Sequence, residues 1–155
     1  GFDFGAALPD VSFGRYVDSV GQEHFVMQNS LSLGSSNSGP KIGPIVITEI
    51  NYFSPDGMDE FVKLENLTDG DIQLYKPDNP QDVWQVGGVG FSFPPNTVFP
   101  ARGTILLVNN NPESFRQRYN VNANIQIFQY SGSLQDNGEN ISSENRKDES
   151  LYKVI

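Results

Sequence analysis

The chain has 155 residues with 19 acidic and 10 basic side chains, and its formal charge of −9 repels phosphate backbones and anionic lipid surfaces, so no nucleic-acid partner is expected. It has no cysteine, which removes disulfides and thiolate metal sites, and no apolar run approaching the roughly 20 residues of a membrane span. Its length fits one ordinary domain, and 15 glycines, 10 prolines and 11 phenylalanines favour short strands and tight turns, so an all-β fold is expected. The opening GFDFG lacks the charged and apolar segments of a secretory signal, and the chain is compatible with a piece of a longer protein.

In chain order, residues 11–17 (VSFGRYV) and 24–28 (HFVMQ) read as short strands around a glycine-containing turn. Residues 34–40 (GSSNSGP) have no side chain suited to a core and read as a linker, which places a boundary there. PIVITEI (44–50) and EFVKLEN (60–66) are a hairpin-like pair across FSPDGMD, whose Pro-Asp-Gly suits a turn. The two-residue period puts Val62 and Leu64 on one face and Phe61, Lys63 and Glu65 on the other.

Further strands are expected at 71–75, 83–86, 91–93, 104–109 and 125–129, with FPPNTVFPARG as a long turn and GGVG (87–90) as a short one. NNPESFRQRY predicts one short helix, with Asn111 as N-cap, Pro112 first, Glu113 in the first turn and Arg116 and Arg118 towards the end. QDNGE (135–139) predicts a tight hairpin. Strands at this spacing indicate a sandwich or barrel, with Trp84, Phe91, Phe93, Leu106, Val108 and Ile127 in the core.

The densest group of acids lies in TEINYFSPDGMDEFVKLEN: Glu49, Asp56, Asp59, Glu60 and Glu65. A glycosidase pair needs two carboxylates across one cleft, whereas these fall in a turn and on strands, where acids satisfy local donors or form a polar face. Calcium is the sharper rival, with Asp56, Asp59 and Glu60 as candidate ligands. Their spacing matches no EF-hand loop, however, and a cage needs about six to eight converging oxygens.

His24, the only histidine, reads as a strand residue, because no G-x-S-x-G elbow accompanies it. GGVG lacks the lysine of a phosphate-binding loop and the third glycine of a dinucleotide fingerprint. Tyr16, Tyr52, Tyr75 and Tyr130 would make a sugar platform only if coplanar, and capping the core is the expected role. Asn66-Leu67-Thr68 and Asn140-Ile141-Ser142 fit the N-glycosylation pattern, which matters only in a eukaryotic secretory pathway.

Ile47, Glu49, Ile50 and Tyr52, followed by Asp59, Glu60, Phe61, Val62, Leu64 and Asn66, resemble the opening of a bacterial lamin tail domain, with Lys63 replacing the usual acid. The resemblance continues through VWQVGGVGFSFPPNTVFPARGTILLVNNNPESFRQRYN and FQYSGSLQDNGENISSEN, covering roughly residues 45–145. It implies an immunoglobulin-like β-sandwich with one short helix, placed in an exported or cell-surface bacterial protein. The domain would span 38–155.

Residues 1–37 resemble the last strand and exit segment of another such domain, which would complete the sandwich within the chain or by strand exchange with a neighbour. The implied role is a non-catalytic spacer, adhesion or protein-interaction module. No catalytic or cofactor-binding residue carries over, and no cofactor is expected. The alternative is a carbohydrate- or calcium-binding accessory module of a secreted multidomain protein.

Overall fold

The computed structural model describes residues 10–52, 59–132, 134, 142–145 and 149–151, the last two segments as backbone only. The chain divides into two compact units, Gly1–Ile42 and Gly43–Ile155.

In the first unit β1 (Phe13–Val17) pairs antiparallel with β2 (Glu23–Met27), from Phe13↔Met27 to Val17↔Glu23. Asp18 shapes the turn: its Oδ1 accepts the backbone N–H groups of Val20 (3.0 Å) and Gln22 (2.8 Å), and Gly21 supplies the positive φ of 84°. The hairpin is organised around a polar side chain. Gln28 is 3% exposed, donates to the carbonyls of Gly14 and Val26 (3.3 Å each) and accepts from the Gly39 amide (3.1 Å).

Residues 34–40 differ from the expected linker. The Asn29 amide donates to the Gly39 carbonyl (2.9 Å), Lys41 to Met27 (2.8 Å), and Asn37 Nδ2 to Arg15 (3.1 Å), so the segment folds back along the hairpin. Small polar residues anchor here through hydrogen bonds instead of packing.

The second unit is built on β3 (Ile45–Asn51) and β4 (Phe61–Asn66), antiparallel with a bulge between Ile47 and Glu49. The single strand expected at 71–75 is two short ones, β5 (Ile72–Gln73) and β6 (Tyr75–Lys76), separated by the fully buried Leu74. β6 pairs with β7 (Asn79–Val83), a strand that its Pro and Asn residues hide from a sequence reading and that its edge position tolerates. β8 (Gln85–Gly87) pairs with β9 (Phe91–Ser92) through the expected glycine turn, where Gly88 and Gly90 have positive φ. β10 (Val98–Phe99), inside the stretch expected to be a long turn, pairs with β5.

β11 (Thr104–Val108) lies antiparallel to β4. The helix α1 (Pro112–Tyr119) then connects β11 to β12 (Gln126–Gln129), which pairs with it in parallel. Asn111 caps α1 as expected, its side chain accepting from the amides of Glu113 and Ser114 (3.0 Å each). Two four-stranded sheets result, in the orders β12-β11-β4-β3 and β14-β13-β8-β9, where β13 is Ser142–Asn145 and β14 is Glu149–Leu151, beside the two-stranded pairs β10-β5 and β6-β7. The protein is therefore mostly β, with one short helix and a sandwich-like set of sheets. The QDNGE turn lies outside the described residues.

The alternation read in β4 sorts the core. Val62 and Leu64, with Ile105 and Leu107 of β11, face Leu74, Val86, Phe91, Phe93 and Phe99. On the opposite face Leu106 and Val108 pack with Phe115 of α1, Phe61 and Ile127. The core candidates thus divide between two clusters, and Trp84 and Ile127 are half-buried at their margins. Each fully buried aliphatic side chain contributes about 1.5–3 kcal/mol.

Candidate functional site

Asp59 lies two residues before β4 and is 6% exposed. Its Oδ1 accepts from Asn110 Nδ2 (2.8 Å), beyond the end of β11, and its Oδ2 from Arg118 Nη1 of α1 (3.1 Å). Asn51 Nδ2 donates to its backbone carbonyl (3.0 Å). One aspartate therefore joins β3, β4, the β11 exit and the helix.

Glu60 points elsewhere. Its Oε2 accepts from the Leu134 amide (3.2 Å) and lies 3.4 Å from the Tyr130 hydroxyl. Its backbone carbonyl accepts from the Asn109 amide (3.2 Å). The two candidate calcium ligands are thus committed to different donors, while Asp56 lies outside the described residues. Among the described residues no three Asp, Glu or His side chains gather into a group suited to a metal ion.

Other acids fasten local structure. Glu65 lies 2.8 Å from Lys63, whose hydrogen bond holds the carboxyl below its usual range. Asp69 accepts from Arg102 Nε (2.8 Å) and is lowered by it, and Asp71 accepts the Ala101 amide (2.8 Å). Lys76 contacts Asp82. Glu49 lies opposite Lys63 on the edge strand β3. Asp18 is lowered chiefly by its hydrogen bond with His24 Nε2 (2.8 Å), and His24 is a strand residue as expected, in β2 opposite Tyr16.

A polar hub that the sequence did not reveal lies at Asn66, 2% exposed. Its Nδ2 donates to the carbonyls of Gly70 and Pro100 (2.9 Å each), with Phe99 at 3.4 Å. Its Oδ1 accepts the amide (2.9 Å) and hydroxyl (2.8 Å) of Thr68. This asparagine of an N-x-T pattern is therefore a buried clamp, its amide nitrogen closed to glycan transfer. Asn140 lies outside the described residues.

The tyrosines have separate environments. Tyr130 is 2% exposed and belongs to the core, Tyr75 is half-buried, and Tyr16 and Tyr52 are exposed. Buried Tyr130 is unavailable to a sugar platform, and its hydroxyl faces Glu60.

The feature most open to a partner is apolar and lies in the first unit. Among its described residues no apolar side chain is buried, while Val20, Leu31, Leu33 and Ile42 are 53–93% exposed, with Leu33 at the upper end. Tyr16, Val17 and Phe25 are exposed as well. Leu31 and Leu33 stand among serine and glycine, a composition that reads as linker and masks them. The sequence matches no protein-family model, and no curated protein or solved structure matches it.

Proposed function

We propose that the chain is a non-catalytic structural and protein-interaction module of an exported or cell-surface bacterial protein, with an immunoglobulin-like sandwich of the lamin tail kind. The observation that carries the reading is the exposure of the apolar side chains Val20, Leu31, Leu33 and Ile42 in the first unit, whose interior holds the polar Gln28. A two-stranded hairpin is marginal alone in water, and concentrated exposed hydrophobics mark interaction surfaces. The acids of the second unit support the same reading, because Asp59 and Glu60 hold elements together.

The direct test is association of the purified chain with itself, or with the flanking segment of its parent protein, by sedimentation velocity. The chain is expected to associate, and Val20→Ser with Leu33→Ser to abolish association without changing the circular dichroism. A monomeric chain indifferent to both substitutions refutes the interaction role. Recovery of the parent protein only from the cytosol refutes the assigned location.

A further inference from the structure

The turn that joins β4 to β5 carries Asp69-Gly70 at the surface, with the Asp69 side chain 88% exposed. Gly70 is not required there by its backbone. Its φ lies outside the left-handed region, and an added Cβ would meet nothing within 4 Å. What the glycine leaves is an unshielded amide nitrogen, and among the described residues that amide donates no hydrogen bond. Its carbonyl, by contrast, is held by Asn66 Nδ2 and Thr68 Oγ1 (2.9 Å each).

A carboxyl followed by such an amide can close a five-membered ring. The Gly70 nitrogen attacks Asp69 Cγ and a C–N bond forms, while the hydroxyl of the acid leaves with the amide proton as water. The product is a succinimide. Water then adds to the ring carbonyl that was the Asp69 main-chain carbonyl, its bond to the Gly70 nitrogen breaks, and the chain continues through the side chain as isoaspartate. One water leaves and one enters, so no other reactant is needed. Ionised carboxylates are poor electrophiles, and Arg102 Nε, 2.8 Å from Asp69 Oδ1, favours the ionised form and ties the side chain across the turn. Arg102 is itself anchored, its amide donating to the Thr68 carbonyl (3.0 Å).

We infer that Asp69-Gly70 is a succinimide-forming modification site restrained by Arg102, and that its conversion to isoaspartate releases the Asn66 clamp. Conversion adds one carbon to the main chain ahead of Gly70, whose carbonyl Asn66 holds, while Asp71 next to it stays tied to the Ala101 amide (2.8 Å). The inference is independent of the interaction role.

The test is to age the full chain in warm, mildly acidic buffer and locate isoaspartate by peptide mapping, which resolves Asp69 from the Asp56-Gly57 and Asn137-Gly138 pairs of the sequence. Isoaspartate is expected to accumulate at Asp69, and about two- to fivefold faster in Arg102→Gln, the range that a surface ion pair supports. Gly70→Ala, whose methyl has open space, should fold as the unaltered chain does and accumulate little. In a partly converted sample the isoaspartyl chains should be digested by protease at lower urea than the unconverted ones. Lack of isoaspartate at Asp69 in both the unaltered chain and Arg102→Gln, equal rates in the two, or digestion of both forms at the same urea concentration overturns the inference. Should Arg102→Gln fail to fold, high salt screens the pair in the unaltered chain and should speed conversion, and an unchanged rate then refutes the restraint.

Discussion

Replacing Asn66 with alanine removes five polar contacts from a site that is 2% exposed. Four are short: those to Gly70 and Pro100 (2.9 Å each), and from the Thr68 amide (2.9 Å) and hydroxyl (2.8 Å). The fifth, to Phe99 at 3.4 Å, adds little. At about 1 kcal/mol per short bond the loss is about 4 kcal/mol. Water reaches the exposed Gly70 and recovers part of this, which leaves about 3 kcal/mol. Against a typical domain stability of about 5–15 kcal/mol, that is a large fraction.

Urea unfolding followed by Trp84, the only tryptophan, reads the loss directly. The midpoint should fall with little change in slope. Asn66→Asp is the matched control: it keeps the acceptor for Thr68 but turns a carboxylate towards the Gly70 and Pro100 carbonyls, so it should cost at least as much at neutral pH. A loss below about 1 kcal/mol for both variants refutes the clamp, because bonds to a buried amide that cost so little to remove are not holding the turns.

Asp59→Ala should cost about 2–3 kcal/mol, since it strips a nearly buried carboxylate from Asn110 and Arg118; unchanged urea stability argues against the fastening. Asp18, Glu23, Glu65 and Asp69 all have folded values below the usual carboxylate range, held there by His24, Arg15, Lys63 and Arg102 respectively. Their contribution is complete above the unfolded values near about pH 4 and is lost as pH falls through the folded ones. The thermal midpoint should therefore drop on acidification below about pH 4, and a rise there contradicts these pairings. Gly14→Ala places a Cβ 2.6 Å from Gln28 Cδ, so it should remove the cross-strand NMR contacts of β1 and β2 while Trp84 fluorescence is unchanged.

Where side-chain alternation is strict, as in β4, the sequence shows which face is buried, and the proline and asparagine before α1 mark its start. β11 is less legible. Ile105, Leu106, Leu107 and Val108 form a continuous apolar run, and only the placement of Phe115 shows that alternate residues enter different clusters. β7 escapes because asparagine and proline open it, and β10 because it is two residues long and set among prolines.

The candidate acids were visible, but their partners were not. Arg118 lies 59 positions beyond Asp59, and Leu134 74 beyond Glu60, so no local spacing connects them. The segment 34–40 misled for a related reason: Asn37 and Ser38 bond to the backbone of Arg15 and Ser30, and the Gly39 amide to the Gln28 side chain, which composition does not report.

The thermal midpoint of the unaltered chain and of Asp59→Ala, each measured in millimolar calcium and in chelator, tests whether these carboxylates brace the fold or serve an ion. Bracing predicts that neither protein responds to calcium and that the substitution lowers the midpoint equally in both conditions. A midpoint that calcium raises in the unaltered chain but not in the variant contradicts it, because an ion bound only to the native state must stabilise that state.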